Sequence, residues 1–477
     1  MKLFSRGLHR NIYRNTIYGS SRFSELRMGQ TKLRYTSSLR VSLLIAFLIF
    51  LSHALSAQDW IRTGTGLGVE KIRLAVPDFK VAADQQSTDL AKVFNDTLWN
   101  DLSHAGIFDM ASKSFYPLGA IGAPPDVNFP AWSSAPVNAA MLAFGNMAVT
   151  GNNLTVQGWL YDVKNITSPQ VLGKQYQDAS TQQAARVIAH KFADEIIFRL
   201  GGGIPGIAES KLFFVRSGNG NKEIWEMDYD GANPHAVTHL GTISLSPRIS
   251  PDGSRLAFSS YTRTGWDILM YSMDLNRLVA FPKFGGTNLS PAWSPDGTKL
   301  AFSSSRTGDP EIYMVDSSGA NLKRLTSYKG PDVAPVWNRK TGSQIAWVSG
   351  RTGLPQIYTM ESDGTNEQRL TDQGYAVSPA WSPNGQFLTF AWTRHYGPGQ
   401  PGSEDIYIMD VVSKQFVQLT HDAGRNDFPS WSPDGRHIVF QSTRSGSEQI
   451  WSMLADGTQQ MQLTFSGSNT QPNWSWQ

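Results

Sequence analysis

Cysteine is absent from this 477-residue chain, so no disulfide can brace it. Its stability has to come from a large core, which residues 58–477 are numerous enough to build. Positive charge is scarce where nucleic-acid binding would need it. Residues 1–40 hold nine Lys/Arg against one Glu, whereas residues 58–477 hold 33 basic and 38 acidic side chains with no extended basic patch. No nucleic-acid partner is expected. The apolar run at 41–51 is too short to cross a bilayer as a helix. No Gly-x-Ser-x-Gly pentapeptide occurs, which removes the nucleophile elbow of an α/β-hydrolase. Two of the nine histidines, His9 and His53, precede residue 58. The others are not expected to form a metal site, and no cofactor is expected. Asp228-Tyr229-Asp230-Gly231 resembles a calcium loop but lacks the downstream ligands, and reads as a plain turn.

The N-terminus has the order of a secretory signal. Lys32, Arg34 and Arg40 precede the apolar run, and Ala54, Ser56 and Ala57 follow it. Cleavage is expected after Ser56 or Ala57, with an uncleaved anchor as the alternative. The first 27 residues exceed what such a signal needs, and Met28 is a conventional start.

Beyond residue 200 the chain repeats itself. Ile249-Ser250-Pro251-Asp252-Gly253, Trp293-Ser294-Pro295-Asp296-Gly297, Trp381-Ser382-Pro383-Asn384-Gly385 and Trp431-Ser432-Pro433-Asp434-Gly435 are copies of one phrase. The first two start 44 residues apart, and Trp337-Asn338-Arg339 fills the gap in register. A period of this length with a turn signal marks a four-stranded propeller blade. The third-strand Ile recurs as Ile224, Ile268, Ile312, Ile357, Ile406 and Ile450; an Arg recurs as Arg216, Arg263, Arg306, Arg351, Arg394 and Arg444. The repeated Trp is expected to pack between blades. The turn Asp and the repeated Arg are expected to cap backbone groups and to pair between blades. The copy at 211–239 lacks an inner strand, and Asn473-Trp474-Ser475-Trp476 is an inner strand with nothing after it. The two fragments complement each other, so a six-bladed β-propeller closed by its C-terminal strand is expected.

Residues 58–200 show no repeat. A strand is expected at 71–77, a hairpin at 154–163 and 171–176, and helices at 89–103 and 181–200. Gly201-Gly202-Gly203 is expected to stop the second helix and to hinge into the propeller. The organisation is therefore mainly β: residues 1–57 extension and signal, 58–200 a small α/β domain, 201–210 a Gly-rich linker, and 211–477 the propeller.

A secretory signal, a small α/β domain and six blades with Trp-Ser-Pro-Asp-Gly turns, ending in Trp474-Ser475-Trp476, together resemble the TolB family of Tol-Pal system proteins. Asp59-Trp60-Ile61-Arg62 followed by Ile72-Arg73-Leu74-Ala75-Val76-Pro77-Asp78-Phe79 is similar to the start of that family's mature domain. The resemblance implies a monomeric, non-enzymatic adaptor in the periplasm, not inserted in the membrane after signal cleavage. It would bind the lipoprotein Pal through the propeller and TolA through its mature N-terminus. It would serve outer-membrane invagination at cell division and outer-membrane integrity. This sequence departs from the pattern at Asn338-Arg339 and in a longer fifth repeat around His395-Tyr396-Gly397-Pro398-Gly399.

Pal is expected on the loops that join outer to inner strands, at 285–288, 328–333, 372–377, 421–427 and 465–470. These loops gather Thr287, Asn288, Lys329, Asp332, Tyr375, Arg425, Asn426, Asp427, Asn469 and Thr470 into one rim. TolA is expected on Asp59, Trp60, Ile61 and Arg62, donated as an extended segment. The rival readings are a propeller-gated exported hydrolase, for which a catalytic domain is lacking, and a glycan-binding propeller.

Overall fold

The computed structural model describes residues 70–218, 220–396 and 402–476. The signal segment and Asp59 to Arg62 lie outside the described residues.

The expected strand, hairpin and two helices of the amino-terminal domain are all present, and three further strands join them. Strands β1 (Ile72–Ala75), β2 (Lys80–Val81), β3 (Phe108–Met110), β4 (Met141–Thr150), β5 (Asn153–Asp162) and β6 (Gln170–Ala179) form one mixed sheet in the order β3-β1-β4-β5-β6, with β2 also on β4. The expected first strand is β1 and the expected hairpin is β5–β6. Strand β4 has no polar alternation, because it is central and buried on both faces, so its pattern does not read as a strand. Helix α1 (Gln85–His104) begins ahead of expectation because Asp84 caps it, accepting from the Ser87 amide at 2.8 Å. A short helix α2 (Phe129–Ser133) follows, and then α3 (Gln182–Leu200), capped by Thr181. Leu90, Phe94 and Leu98 of α1 and Ile188, Phe192 and Ile196 of α3 pack on Leu74, Val156 and Leu160 of the sheet. Phe192 lies so close to Gly158 that a β-carbon there would stand 2.7 Å from its ring. Trp132 and Val137 cover the other face, over Leu142 and Phe144.

Six four-stranded sheets follow. Five are read straight along the chain from Ser244–Ile249 to Met461–Gln462. The sixth is composite. Its inner strand is the C-terminal Ser468–Trp474, beside β7 (Lys211–Gly218), β8 (Asn221–Asp228) and β9 (His235–Ala236). Asn469 faces Arg216 and Trp474 faces Leu212, antiparallel. The Lys211 amide donates to Ser475 Oγ at 2.9 Å, and Trp474 Nε1 donates to Ser210 Oγ at 2.8 Å. The ring closes as the complementary fragments require.

Each inner strand carries the same bulge. The register slips beside Ser246, Ser290, Ala334, Ser378, Phe428 and Gln471, whose φ values lie between 51° and 55°. Each of these residues precedes a proline, and no strand pairs on the channel side, so the missing amide hydrogen costs nothing. The turns work as expected. Ser294 Oγ donates to Asp296 Oδ1 at 2.5 Å and accepts from the Lys299 amide at 2.9 Å, with Gly297 at φ 67°. The tryptophans do bridge blades: Trp293 Nε1 donates to Arg248 O at 3.0 Å and Trp337 Nε1 to Ala292 O at 3.1 Å.

The repeated arginines meet the expectation in part: Arg216 Nη2 caps Ser466 O at 3.1 Å, whereas Arg351 and Arg444 bind Asp332 and Asn426 within their own blades. Several also lie over rings of their own blade: Arg216 over Trp225 at 4.5 Å, Arg394 over Phe416 at 4.7 Å and Arg444 over Trp451 at 4.7 Å. A planar guanidinium stacks on an aromatic face in the blade that holds it, a contact sequence spacing does not reveal.

Truncating Trp474, which is 1% exposed, removes a large core side chain at the seam. Trp474→Ala should lower the unfolding free energy by about 3–5 kcal/mol, measured by urea denaturation.

Candidate functional site

The inner strands begin at the outer-to-inner loops and end at the Ser-Pro-Asp-Gly turns, so loops and turns lie on opposite faces of the ring. The amino-terminal domain occupies the turn face. Tyr229 Oη donates to Asp101 of α1 at 2.5 Å, and His190 Nδ1 lies 2.7 Å from the same carboxylate. Arg186 of α3 donates to Asp230 at 2.6 Å and to Asp228 at 3.3 Å. Arg436 Nη2 donates to Gly201 O at 3.0 Å, and His437 Nε2 lies 2.7 Å from His104 O. Burial raises the pKa of Asp101 and lifts that of Tyr229 well above the phenol range. The turn at 228–231 is thus a joint between domains whose carboxylates bind an arginine. The first glycine of the run is closely seated, whereas Gly202 and Gly203 have open space around them. A β-carbon on Gly201 would stand 2.6 Å from both Arg436 Nη2 and Ile197 O.

The opposite face stays open, and the ten rim residues divide there into two kinds. Thr287, Lys329, Tyr375 and Arg425 are exposed, and Asp427 is half-buried. Asn288, Asp332, Asn426, Asn469 and Thr470 are buried, so they present no surface to a partner. The buried set holds the loops in shape. Asn288 Nδ2 donates to Gly285 O at 3.2 Å, Asn426 Nδ2 to Asp405 Oδ1 at 3.1 Å, and Asn469 Nδ2 to Gln449 Oε1 at 2.9 Å. Asp332 is bound by Arg351 Nη2 at 2.9 Å. Polarity marked these residues as surface; their hydrogen bonds take them inside.

A second set of residues completes this network. Thr420 Oγ1 accepts from the Ile406 amide at 3.0 Å and donates to Asp405 Oδ1 at 2.8 Å. Thr464 does the same with Ile450 and Gln449, at 2.9 and 2.6 Å. Asp405 and Gln449 therefore tie the outer strand of one blade to the first residue of the next. The signal in the sequence was the recurring Leu-Thr at 325–326, 370–371, 419–420 and 463–464.

Sequence reasoning missed most of the exposed aromatics. Tyr261, Tyr328, Tyr375, Tyr396 and Phe465 are 53%, 58%, 38%, 57% and 78% exposed, and all stand at rim-side loops. Among the described residues, the propeller's exposed aromatic side chains occur on this face alone. Tyr375 and Tyr396 flank a cavity of about 520 Å³ that Glu404, Arg425, Asp427 and Phe428 also line. Arg425 pairs with Glu404 at 3.0 Å. Burial, and then the charge of Glu404, push the Asp427 carboxyl up to about 7.

Residues 65–168 match the family described as TolB amino-terminal domain, and 199–395 and 371–477 match TolB beta propeller domain. The propeller matches alone span more than half of the chain. The chain belongs to the TolB family. Among curated relatives, the Tol-Pal system protein TolB of Desulfosudis oleivorans is 35% identical over 260 residues, covering 52% of this chain and 56% of its own length. That of Ruegeria sp. is 37% identical over 200 residues, covering 40% and 43%. The chain thus spans about half the length of the curated relatives it matches. The crystal structure of TolB from Acinetobacter baumannii superposes with a TM-score of 0.72 over 85% of this chain and 97% of that one, at 24% identity, and shares the fold.

His235 and His239 stand four residues apart, a spacing that brings two imidazoles together on a helix. Here His235 lies in β9, not on a helix, and both are exposed. Among the described residues no group of three or more His, Asp or Glu side chains is placed to hold a metal ion. No described helix is long and apolar enough to cross a membrane.

An Asp whose folded pKa is raised binds its proton more tightly when folded, so its contribution is present at low pH and lost as pH rises through about 7. Asp427→Asn should therefore gain stability over the parent protein between about pH 4 and pH 8. The difference between the two proteins isolates Asp427 from Asp194, which is also raised to about 7. Urea denaturation at both pH values measures it.

Proposed function

We propose that the chain is a periplasmic component of the Tol-Pal system and acts as an adaptor without catalytic activity. Its open rim binds Pal, and its mature N-terminus binds TolA. The complex supports outer-membrane invagination at division and outer-membrane integrity. Family membership supports the system, and the exposed aromatics of the rim support the docking face. Exposed tyrosines around a concave centre, rimmed by Lys329, Arg425 and Thr287, match the composition of protein-recognition surfaces. The turn face is already occupied by the amino-terminal domain.

On this reading the buried asparagines act by fixing loop geometry, and the exposed side chains make the contacts. Tyr375→Ala combined with Lys329→Glu should weaken Pal binding by about tenfold or more. Val412→Ala, at an exposed turn on the other face, should leave it unchanged. Calorimetry with purified Pal decides; equal affinity for the rim variant and the parent removes the rim from the interface.

The segment Asp59-Trp60-Ile61-Arg62 precedes Thr63-Gly64-Thr65-Gly66, a stretch suited to donating a short strand to a partner's sheet edge. Deleting 58–65 should abolish TolA binding. If the segment also packs on the propeller, the same deletion shifts Pal affinity, because coupling between two sites is reciprocal. Titration of both partners against the deleted protein tests this, and unchanged affinities for both would reduce the segment to a loose end.

A further inference from the structure

A second site lies in the channel, at the end where the inner strands meet the Ser-Pro-Asp-Gly turns. A cavity of about 70 Å³ is walled there by Arg248, Arg339, Trp337, Trp381, Trp431 and Trp476. A water needs about 10–15 Å³ of such space, so a polyatomic ion fits.

Among the polar side chains lining this cavity, Arg248, Arg339 and the indoles are donors, while Asn473 Oδ1 already accepts from the Ile249 amide and Ser430 Oγ from the Trp474 amide. Arg248 Nη1 donates to Pro247 O at 2.8 Å, and Arg339 Nη1 donates to Trp431 O at 3.2 Å. The Arg339 guanidinium also lies 4.1 Å from the Trp476 ring centre. Neither arginine pairs with a carboxylate among the described residues, although each has five N–H groups to place. Burial lowers both to about 10, and the charge of Arg248 adds to the fall at Arg339. Trp381 and Trp431 are 3% and 1% exposed, and their Nε1 hydrogens have no acceptor. Their counterparts Trp293 and Trp337 spend the same hydrogen on a backbone carbonyl of the neighbouring blade.

The propeller itself does not need these arginines. Where Arg248 stands, the other inner strands have Ala292, Val336, Ala380, Ser430 and Asn473. Arg339 occurs where the fourth repeat abandons Pro-Asp-Gly. Two like charges brought into one tryptophan-walled space repel each other and lose hydration unless an anion joins them. Delocalised guanidinium forks and indole N–H groups suit the separated oxygens of an oxyanion.

We propose that this cavity binds a small oxyanion, a phosphate or a carboxylate, held between Arg248 and Arg339 with the Trp381 and Trp431 indoles as further donors. The site is remote from the rim and does not depend on the adaptor reading.

Inorganic phosphate and acetate are titrated separately into the full secreted chain at constant ionic strength, following tryptophan fluorescence and calorimetric heat. At least one should give a saturable change at a stoichiometry of one, together with a rise in Tm, and the comparison ranks the two oxyanions. Arg248→Gln and Arg339→Gln should each weaken binding by about tenfold, and the double variant should abolish it. Trp381→Phe keeps the wall and removes one donor. It should weaken binding by a smaller factor, and it serves as the test if the arginine variants misfold. Absence of saturation with both anions, or a signal that the double variant or Trp381→Phe leaves unchanged, overturns the proposal.

Discussion

The pairing of Ser468–Trp474 with Lys211–Gly218 is the contact on which everything else in the propeller depends. It joins segments some 264 positions apart, so no local preference can form it. Without it, the first blade would lack its inner strand and expose the edge of Lys211–Gly218, and the channel would open on one side. With it, each inner strand lies between two neighbours, and the six bulges fall at one height around the axis. Ser475 accepts from the Lys211 amide as Ser294 does from that of Lys299, and Trp474 adds a bond to Ser210 Oγ that seals the seam.

Closure gives the disc two unlike faces. The turn face is rigid, because each Ser-Pro-Asp-Gly segment satisfies its own backbone through Ser and Asp, and it offers a firm seat to the amino-terminal domain. The loop face is tied from beneath by the Thr, Asp or Gln, and Asn relay, so its upper side chains are displayed on a prepared frame. Buried polar groups do this work only when their partners are complete, and Asn426 shows how dense the set is: it bonds Asp405 and is itself bonded by Arg444.

Departures from the repeat are where this molecule is individual. Arg436 and His437 replace ordinary turn residues in the blade that begins at Asn426 and reach Gly201 and His104. Tyr229 and Asp230 extend a turn into the domain joint. Arg248 and Arg339 put charge into a channel whose other positions are small or apolar. A repeat states what six blades share; the deviations bring together groups that are near in space and far in sequence.

The sequence alone determined the mainly β architecture, the count of six, the closing strand and the two packed helices, because turn residues and hydrophobic period act over short stretches and recur six times. The repeated proline in each inner strand was visible too, but the bulge and its left-handed residue were not, since Ser246, Ala334 and Phe428 have no side-chain chemistry that announces positive φ. Tertiary structure alone decided which rim residues meet solvent. Asn288 and Thr287 are adjacent and both polar, yet one is buried and the other exposed, because the folded loop and the neighbouring blade together supply the carbonyls that draw one amide inside. It also decided that Arg248 and Arg339, some ninety residues apart, share one cavity. Such meetings depend on the curvature of the ring, a property of all six sheets together and of no single one.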